Sequence, residues 1–241
     1  MKEKLLAIIP ARGGSKRIPN KNIRNFFGKP LIAHTILQAK ENSFIDRVVV
    51  DTDSPKIAAI AKKYGAEAPF LRPKRLAADK ASVNDSAVYF LKRLKKEEGC
   101  EPEYVIFLHT TSPLREQKDI NECWEFIKES GATTVLTVCS THPRLYYLDA
   151  QNKIILANSP GGKLPSNVQQ WRKAYILNGC FVYIVKTSAL LKEKDIFTSD
   201  TRAVICDKWR SVDLDTPEDW VLAEYLYKHK DKLTKEIKSF K

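Results

Sequence analysis

Over the first 140 residues, short apolar runs alternate with stretches of helical period, and few architectures accept that pattern. LLAII (5–9), IDRVVV (45–50), YVIFL (104–108) and ATTVLTV (132–138) are rich in β-branched residues and apolar on both faces, as central strands of a parallel sheet are. Between them, PLIAHTILQAKEN (30–42), SPKIAAIAKKYG (54–65) and VNDSAVYFLKRLKKEEG (83–99) carry apolar residues three and four apart and close on Asn or Gly. In the second of these, Pro55 fits the first turn, with Asp53 or Ser54 as the N-cap. Repeated strand–helix–strand units of this kind predict an α/β fold, three layers deep, with a mostly parallel central sheet.

The pattern then changes. LYYLDAQNKIILANS (145–159) predicts a hairpin with its turn at Asp149 to Lys153, and SPGGKLPSN (159–167) is a Gly/Pro/Ser loop. Residues 141–176 are therefore read as an insertion within a single domain spanning 1–241. The alternation resumes with CFVYIVK (180–186), RAVIC (202–206) and a closing helix from Thr216 or Pro217 to about Tyr227.

Composition removes several function classes. A chain of 241 residues, 43% hydrophobic, can bury one substantial core. It holds no apolar run of about 18 residues, and its first apolar run stops at once in PAR, so a soluble, cytoplasmic protein with no membrane segment is expected. The five cysteines, Cys100, Cys123, Cys139, Cys180 and Cys206, are scattered without a CxxC pair, which points to neither a zinc site nor a disulfide framework. The net charge of +12 is concentrated: residues 11–30 contribute +6 and residues 228–241 contribute +4. A diffuse nucleic-acid face does not fit that distribution, and the basic loop is broken by prolines and lacks interleaved aromatics for base stacking. The lysine-rich tail reads as a solvated helix end.

Four stretches carry chemistry. PARGGSKRIPNKN (10–22) follows the first strand directly; Gly13 and Gly14 are expected to let the backbone turn with φ > 0 and present its amides. Arg12, Lys16, Arg17 and Lys21 add charge, so the loop is either a phosphate cradle or a solvated basic turn. It is no Walker loop, because Ile18 and Pro19 stand where Gly and Lys would fall from Gly13, and no dinucleotide GxGxxG, because Gly13 and Gly14 are adjacent. VDTD (50–53) ends a strand where open α/β sheets hold ligands, although Asp53 could equally cap a helix. LHTTSPLR (108–115) leaves another strand with Thr110, Thr111 and Ser112 hydroxyls and the Arg115 cation. In SVDLDTPEDW (211–220), Asp213 and Asp215 flank one Leu, and on an extended chain both point to one side, which suits a hard divalent cation such as Mg²⁺. Thr216 to Asp219 start a helix well on their own account.

Together with LRPKRLAADKAS (71–82) and QQWRKAYILNG (169–179), three of these motifs, IPARGGSKRIPNKN, LHTTSPLR and SVDLDTPEDW, run along nearly the whole chain in an order that resembles the CMP-N-acylneuraminate synthetases, cytidylyltransferases that activate sialic acid and related nine-carbon acidic sugars. The G-S-K-R-x-P-x-K-N ending of the first separates this branch from ketodeoxyoctonate cytidylyltransferases, whose loop ends R-L-P-G-K-P. The resemblance implies a nucleotidyltransferase fold whose insertion serves dimerisation, a homodimer, CTP and an acidic nine-carbon sugar as substrates, and one or two Mg²⁺ ions. It implies nucleotide contacts from Ala11, Arg12, Gly13, Gly14, Ser15 and Lys21, with Asn22, Arg72 and Ser82 around the cytidine. It places His109, Thr111, Ser112, Gln169, Gln170, Asn178 and Tyr183 near the sugar and Mg²⁺ on Asp213 and Asp215, and it makes Arg12, Lys21 and Asp215 the catalytic group. The chain departs from the family at His109, where Gln is usual; at Val168, where Arg commonly precedes the Gln pair; at Asp51, where many members have Ser; and in NGCFVYI, which shifts Tyr183 by one position. Those departures leave the particular sugar open. Other readings are a nucleotidylyltransferase for another triphosphate, such as GTP, or another acidic sugar, such as ketodeoxyoctonate, and, from a different class, a nucleic-acid-binding protein.

Overall fold

Alternate residues of the first strand are sealed on opposite sides, and this fixes the layers. The computed structural model describes residues 4–157, 172–179 and 181–240. In chain order these form β1 (Leu5–Pro10), β2 (Asn25–Phe26), β3 (Lys29–Pro30), α1 (Leu31–Lys40), β4 (Arg47–Asp51), α2 (Pro55–Lys63), α3 (Lys74–Ala77), α4 (Val83–Glu98), β5 (Tyr104–Phe107), α5 (Gln117–Ser130), β6 (Thr134–Thr141), β7 (Tyr146–Leu148), β8 (Ile154–Leu156), β9 (Ala174–Leu177), β10 (Tyr183–Lys186), α6 (Thr187–Glu193), β11 (Thr201–Cys206), α7 (Pro217–Lys228) and α8 (Lys230–Lys238). Leu5, Ala7 and Ile9 pack with Ile32 and Ile36 of α1, Ile57 of α2 and Ile120 and Trp124 of α5. Leu6 and Ile8 face the other way, against Phe90, Leu91 and Leu94 of α4 and Leu190 of α6. Each such Leu or Ile removed from water contributes about 1.5–3 kcal/mol, so the two-faced burial of β1 commits it to the middle of the sheet.

The sheet order is β11-β6-β10-β5-β1-β4, with β9 also paired to β6. β4, β1 and β5 are mutually parallel, as are β6 and β11, whereas β10 runs antiparallel to both β5 and β6, and β9 antiparallel to β6. The expected mostly parallel sheet is present with these two reversed strands. The expected hairpin is also present: β7 and β8 pair antiparallel, Asp149 N–H donates to Lys153 O at 3.1 Å, and Asn152 takes a left-handed φ of 61° in the turn. The last residues of the 141–176 segment belong to β9 and extend the main sheet. No helix of the described residues is long and apolar enough to cross a membrane. The lysine-rich tail folds as α8, a helix with no buried residue.

Two polar anchors hold elements that frame the site. At the start of α7, Thr216 Oγ1 accepts from Asp219 N–H (3.3 Å) while Asp219 Oδ2 accepts from Thr216 N–H (2.7 Å), a reciprocal cap placed directly after the two acids. Farther back, Arg210 donates to both oxygens of Asp119, at 2.5 and 2.8 Å, with side chains only 2% and 1% exposed. Asp119 Oδ2 also accepts from Glu116 N–H (2.8 Å), closing the first turn of α5. A small apolar cluster does the rest: Ile18, Phe26, Leu31, Leu214, Trp220 and Ala223 pack together, joining residues of the basic loop to the segment around Asp213 and Asp215.

Candidate active site

Strand order reverses at β1, which has β4 on one side and β5 on the other, and open α/β sheets place ligands at the carboxyl ends of strands beside such a reversal. A cavity of about 690 Å³ lies there, floored by Ile8 and Pro10 of β1, Asp51 of β4 and Phe107 of β5. The basic loop forms one wall. Leu76, Ala77, Ala78, Ala81 and Val83, with Ala87, form an opposite wall that is apolar and built mostly of small side chains.

The loop is braced from below by backbone and carboxylate bonds. Ala11 N–H donates to Asp51 O (2.9 Å) and Gly13 N–H to Asp53 Oδ1 (2.8 Å). Asp53 therefore serves the loop, while Ser54 Oγ caps α2 by accepting from Ile57 N–H at 3.3 Å. The glycines act differently from the expectation: neither Gly13 nor Gly14 has a positive φ, and the left-handed residue is Asn20, at 55°, just before the 3₁₀ turn Lys21–Ile23. Gly13 is needed for close approach, since a Cβ there would lie 3.2 Å from that of Ser54, whereas around Gly14 there is open space. Asn22 spans the loop and β5, donating to Arg12 O (2.9 Å) and accepting from Thr110 Oγ1 (2.6 Å).

All four cations of the loop that line the cavity meet a carboxylate. Arg12 and Lys16 reach the two oxygens of Asp79 at 2.8 and 2.5 Å. Arg17 and Lys21 reach Asp215 at 3.3 and 3.7 Å, and Lys21 Nζ also donates to Leu214 O at 2.5 Å. Burial pulls the Lys21 ammonium below its ordinary pKa, against the opposing pull of Asp215 and Asp213.

The two acids are not on an extended chain, as their alternation implies. Asp215 N–H donates to Asp213 O (2.9 Å), a tight turn about Leu214, whose N–H is taken by Thr111 O (2.9 Å) and whose side chain is fully buried. The turn nonetheless keeps both carboxylates beside Lys21. Asp213 is half-buried, and its Oδ1 is buried without a hydrogen-bond partner. Burial, with the nearby Asp215 charge added, raises its pKa. Behind it sits Gly179, at φ +66°, where a Cβ would lie 2.7 Å from Asp213 Cγ.

On the cavity floor, Arg72 donates to Asp51 Oδ2 at 2.6 Å and to Asp51 O at 3.0 Å, an ion pair with side chains 9% and 4% exposed. Burial raises the pKa of Asp51, and Arg72 opposes it. His109 is driven down to about 4 by burial and by Arg115, Arg72 and Lys21, so its imidazole is neutral at physiological pH. Its Nε2 has no hydrogen-bond partner.

Of the residues expected at a site, Arg12, Ser15, Lys21, Asn22, Arg72, His109, Thr111 and Asp215 line this one cavity. Ala11 and Gly13 support it from below. Several others stand elsewhere. Ser82 is the exposed N-cap of α4, accepting from Asp85 N–H at 3.3 Å, and its neighbours Ala81 and Val83 line the cavity instead. Ser112 is fully buried and off the lining. Asn178 is held by Thr137 (2.9 Å) and Ser211 (3.2 Å) and acts as a structural brace. Tyr183, expected near a sugar, is a core residue of β10 between Phe107 and Leu136, because the strand's alternation turns it into the α4 side of the sheet. Gln169, Gln170 and Val168 lie outside the described residues. Sequence reasoning missed Asp79 and the alanine wall, for which A-A-D-K-A at 77–81 was the available signal.

Among the described residues, no group of three or more His, Cys, Asp or Glu side chains could hold a metal by itself. Two carboxylates with one orphaned oxygen fit an ion that retains waters and takes its remaining ligands from phosphate, as Mg²⁺ does.

A pseudaminic acid cytidylyltransferase of Campylobacter jejuni is 36% identical over 228 residues, covering 93% of this chain and 97% of that protein. A CMP-N,N'-diacetyllegionaminic acid synthase of Legionella pneumophila is 34% identical over 229 residues, covering 92% and 96%. The structure of CMP:2-keto-3-deoxy-manno-octonic acid synthetase complexed with CTP superposes with a TM-score of 0.71 at 18% identity, covering 94% of this chain and 99% of that one, which establishes the shared fold. The cytidylyltransferase family model matches residues 6–236, so the basic loop, the cavity floor and the Asp213–Asp215 turn all lie within the match, and the chain belongs to the cytidylyltransferase family.

Proposed function

We propose that this protein transfers CMP from CTP to a nonulosonic acid, with pseudaminic and legionaminic acids, named in its relatives, as the first sugars to try. The observation that carries the reading is one cavity, in a member of this family, that joins the loop of Arg12 and Lys21 to Asp215 and, just behind it, Asp213. In the proposed reaction the anomeric hydroxyl of the sugar attacks the α-phosphorus, the bond to the bridging oxygen breaks, and pyrophosphate leaves. Negative charge grows on the α-phosphate and on the leaving group, and fixed cations lower that barrier. Arg12 and Lys21, both lining the cavity, would meet it. Asp213 and Asp215 would hold Mg²⁺, as one ion or two, whose Lewis acidity would add to that neutralisation. The apolar wall of Leu76, Ala77, Ala78 and Ala81 would suit a nucleobase. For the proton of the attacking hydroxyl, the candidate acceptors lining the cavity are Asp215 and His109, the imidazole being neutral and held near pKa 4 by burial and the neighbouring cations.

The proposed homodimer is supported by the β7–β8 hairpin, which exposes Tyr147, Leu148 and Ile154 at 68%, 63% and 63%. The cross-strand pair Leu148 and Ile154 and, on the other face, Tyr147 are apolar surface that association with a second copy would cover.

The deciding experiment is a pyrophosphate-release screen with Mg²⁺, the four nucleoside triphosphates, and pseudaminic, legionaminic, sialic and ketodeoxyoctonic acids. Turnover is expected with CTP and a nine-carbon acid; turnover with GTP instead, or with ketodeoxyoctonate alone, overturns the reading. A second result tests the placement of Asp213. Gly179→Ala forces a side chain into the left-handed region, at about 1–2 kcal/mol, and pushes the carboxylate aside. Turnover should fall about 10²-fold, as for other small misplacements of a reacting group, and a urea titration should show only the modest stability loss.

A further inference from the structure

Asp79 is the one acid on the wall that faces the basic loop across the cavity. It sits in the turn between α3 and α4, where Ala81 N–H donates to Ala78 O at 3.0 Å, and it lines the cavity with Arg12 and Lys16. Each of its carboxylate oxygens takes one cation: Oδ1 the Arg12 guanidinium at 2.8 Å, Oδ2 the Lys16 ammonium at 2.5 Å. Two cations on two oxygens of one anion is how such a loop would grip a phosphate group. Yet the three side chains are substantially exposed, at 40%, 78% and 48% for Arg12, Lys16 and Asp79, so water screens the contact and a stronger anion can displace it.

We propose that Asp79 is an internal stand-in for a phosphate: it bridges the cavity mouth through Arg12 and Lys16, yields them to the incoming triphosphate, and retakes them as pyrophosphate leaves. This rests on the CTP-dependent reading above. It assigns Asp79 no part in the bond-making step. Its effect is on how tightly phosphates are held. The two pairs tie the basic loop to the turn between α3 and α4. Lys16 and Arg12 hold the Asp79 carboxyl below the usual carboxylate range, so the bridge is ionised through the neutral range where phosphates compete for the same cations.

The test is calorimetric binding of CTP and of inorganic pyrophosphate to the full chain, in wild type, Asp79→Asn, Asp79→Glu and, as a charge control on the same side, Asp85→Asn. Removing the competitor should tighten both ligands about threefold to tenfold in Asp79→Asn, the range two screened ion pairs can supply, and strengthen product inhibition by pyrophosphate by the same factor. Asp79→Glu should stay within about twofold of wild type. Unchanged or weaker binding in Asp79→Asn overturns the proposal while leaving the CTP reading intact. Equal tightening in Asp85→Asn overturns it too, since a general field and not the bridge would then be responsible. Failure of the wild type to bind CTP or pyrophosphate at all sinks the CTP reading, and this proposal with it.

Discussion

Replacing Asp215 by Asn should lower CTP-dependent pyrophosphate release by roughly 10³-fold, the several kcal/mol that a metal-centred charge contributes to such a transition state. Asn keeps the volume and removes the charge. Two consequences follow from the geometry: the proposed Mg²⁺ site loses one of its two carboxylates, and Arg17 and Lys21 lose the anion that holds them at 3.3 and 3.7 Å. The fold should survive, because Asp215 is exposed and its ion pairs are screened ones, so the urea midpoint is expected to stay close to wild type. Activity and stability must therefore be measured on the same preparation. A folded variant retaining about a tenth or more of wild-type turnover would remove Asp215 from the charge centre.

The largest loss of stability is expected far from the chemistry, in Asp119→Ala. The substitution strands the Arg210 guanidinium, 2% exposed, and deletes the acceptor that closes the first turn of α5. Glu116 at 3.6 Å and Asp207 at 3.3 Å remain, but both are far more open to water and are poor substitutes for the 2.5 and 2.8 Å bonds. Breaking one side of a buried pair costs about 3–5 kcal/mol, a large share of the 5–15 kcal/mol that holds a typical domain together. Much of that loss should be recovered by adding Arg210→Met, since an apolar replacement leaves no uncompensated charge. Urea midpoints of the two single variants and the double variant decide it. A cost below about 1 kcal/mol would mean that water reaches the pair after all.

Local chemistry made part of this molecule legible in its sequence. β1, β4 and β5 were readable because residues such as Leu6, Val49 and Ile106 are apolar on both faces of a strand, and α2 and α4 because their caps and periods agree. What failed depends on long-range partners. β10 runs antiparallel between β5 and β6, a long-range pairing that no local pattern announces, and in that register Tyr183 is core. Asp213 and Asp215 alternate like a strand, but Thr111 captures the Leu214 amide and Trp220 its side chain, so the chain turns there. Asp51 was visible only as an unusual acid; its meaning came from Arg72, 21 residues away. The glycines at 13 and 14 announced a special backbone, yet the left-handed residue was Asn20.

The apolar cluster of Ile18, Leu214 and Trp220 also sets a timetable. Lys21 and Leu214, the carbonyl it binds, are 193 residues apart in the chain. Closing a loop of that length is entropically unfavourable until apolar contacts reward it, and the rewarding contacts come from α7. A chain synthesised only as far as β5 thus lacks both the acids that oppose Lys21 and the apolar partners of Ile18 and Phe26. The proposed site is therefore assembled in full only once α7 has docked on the loop.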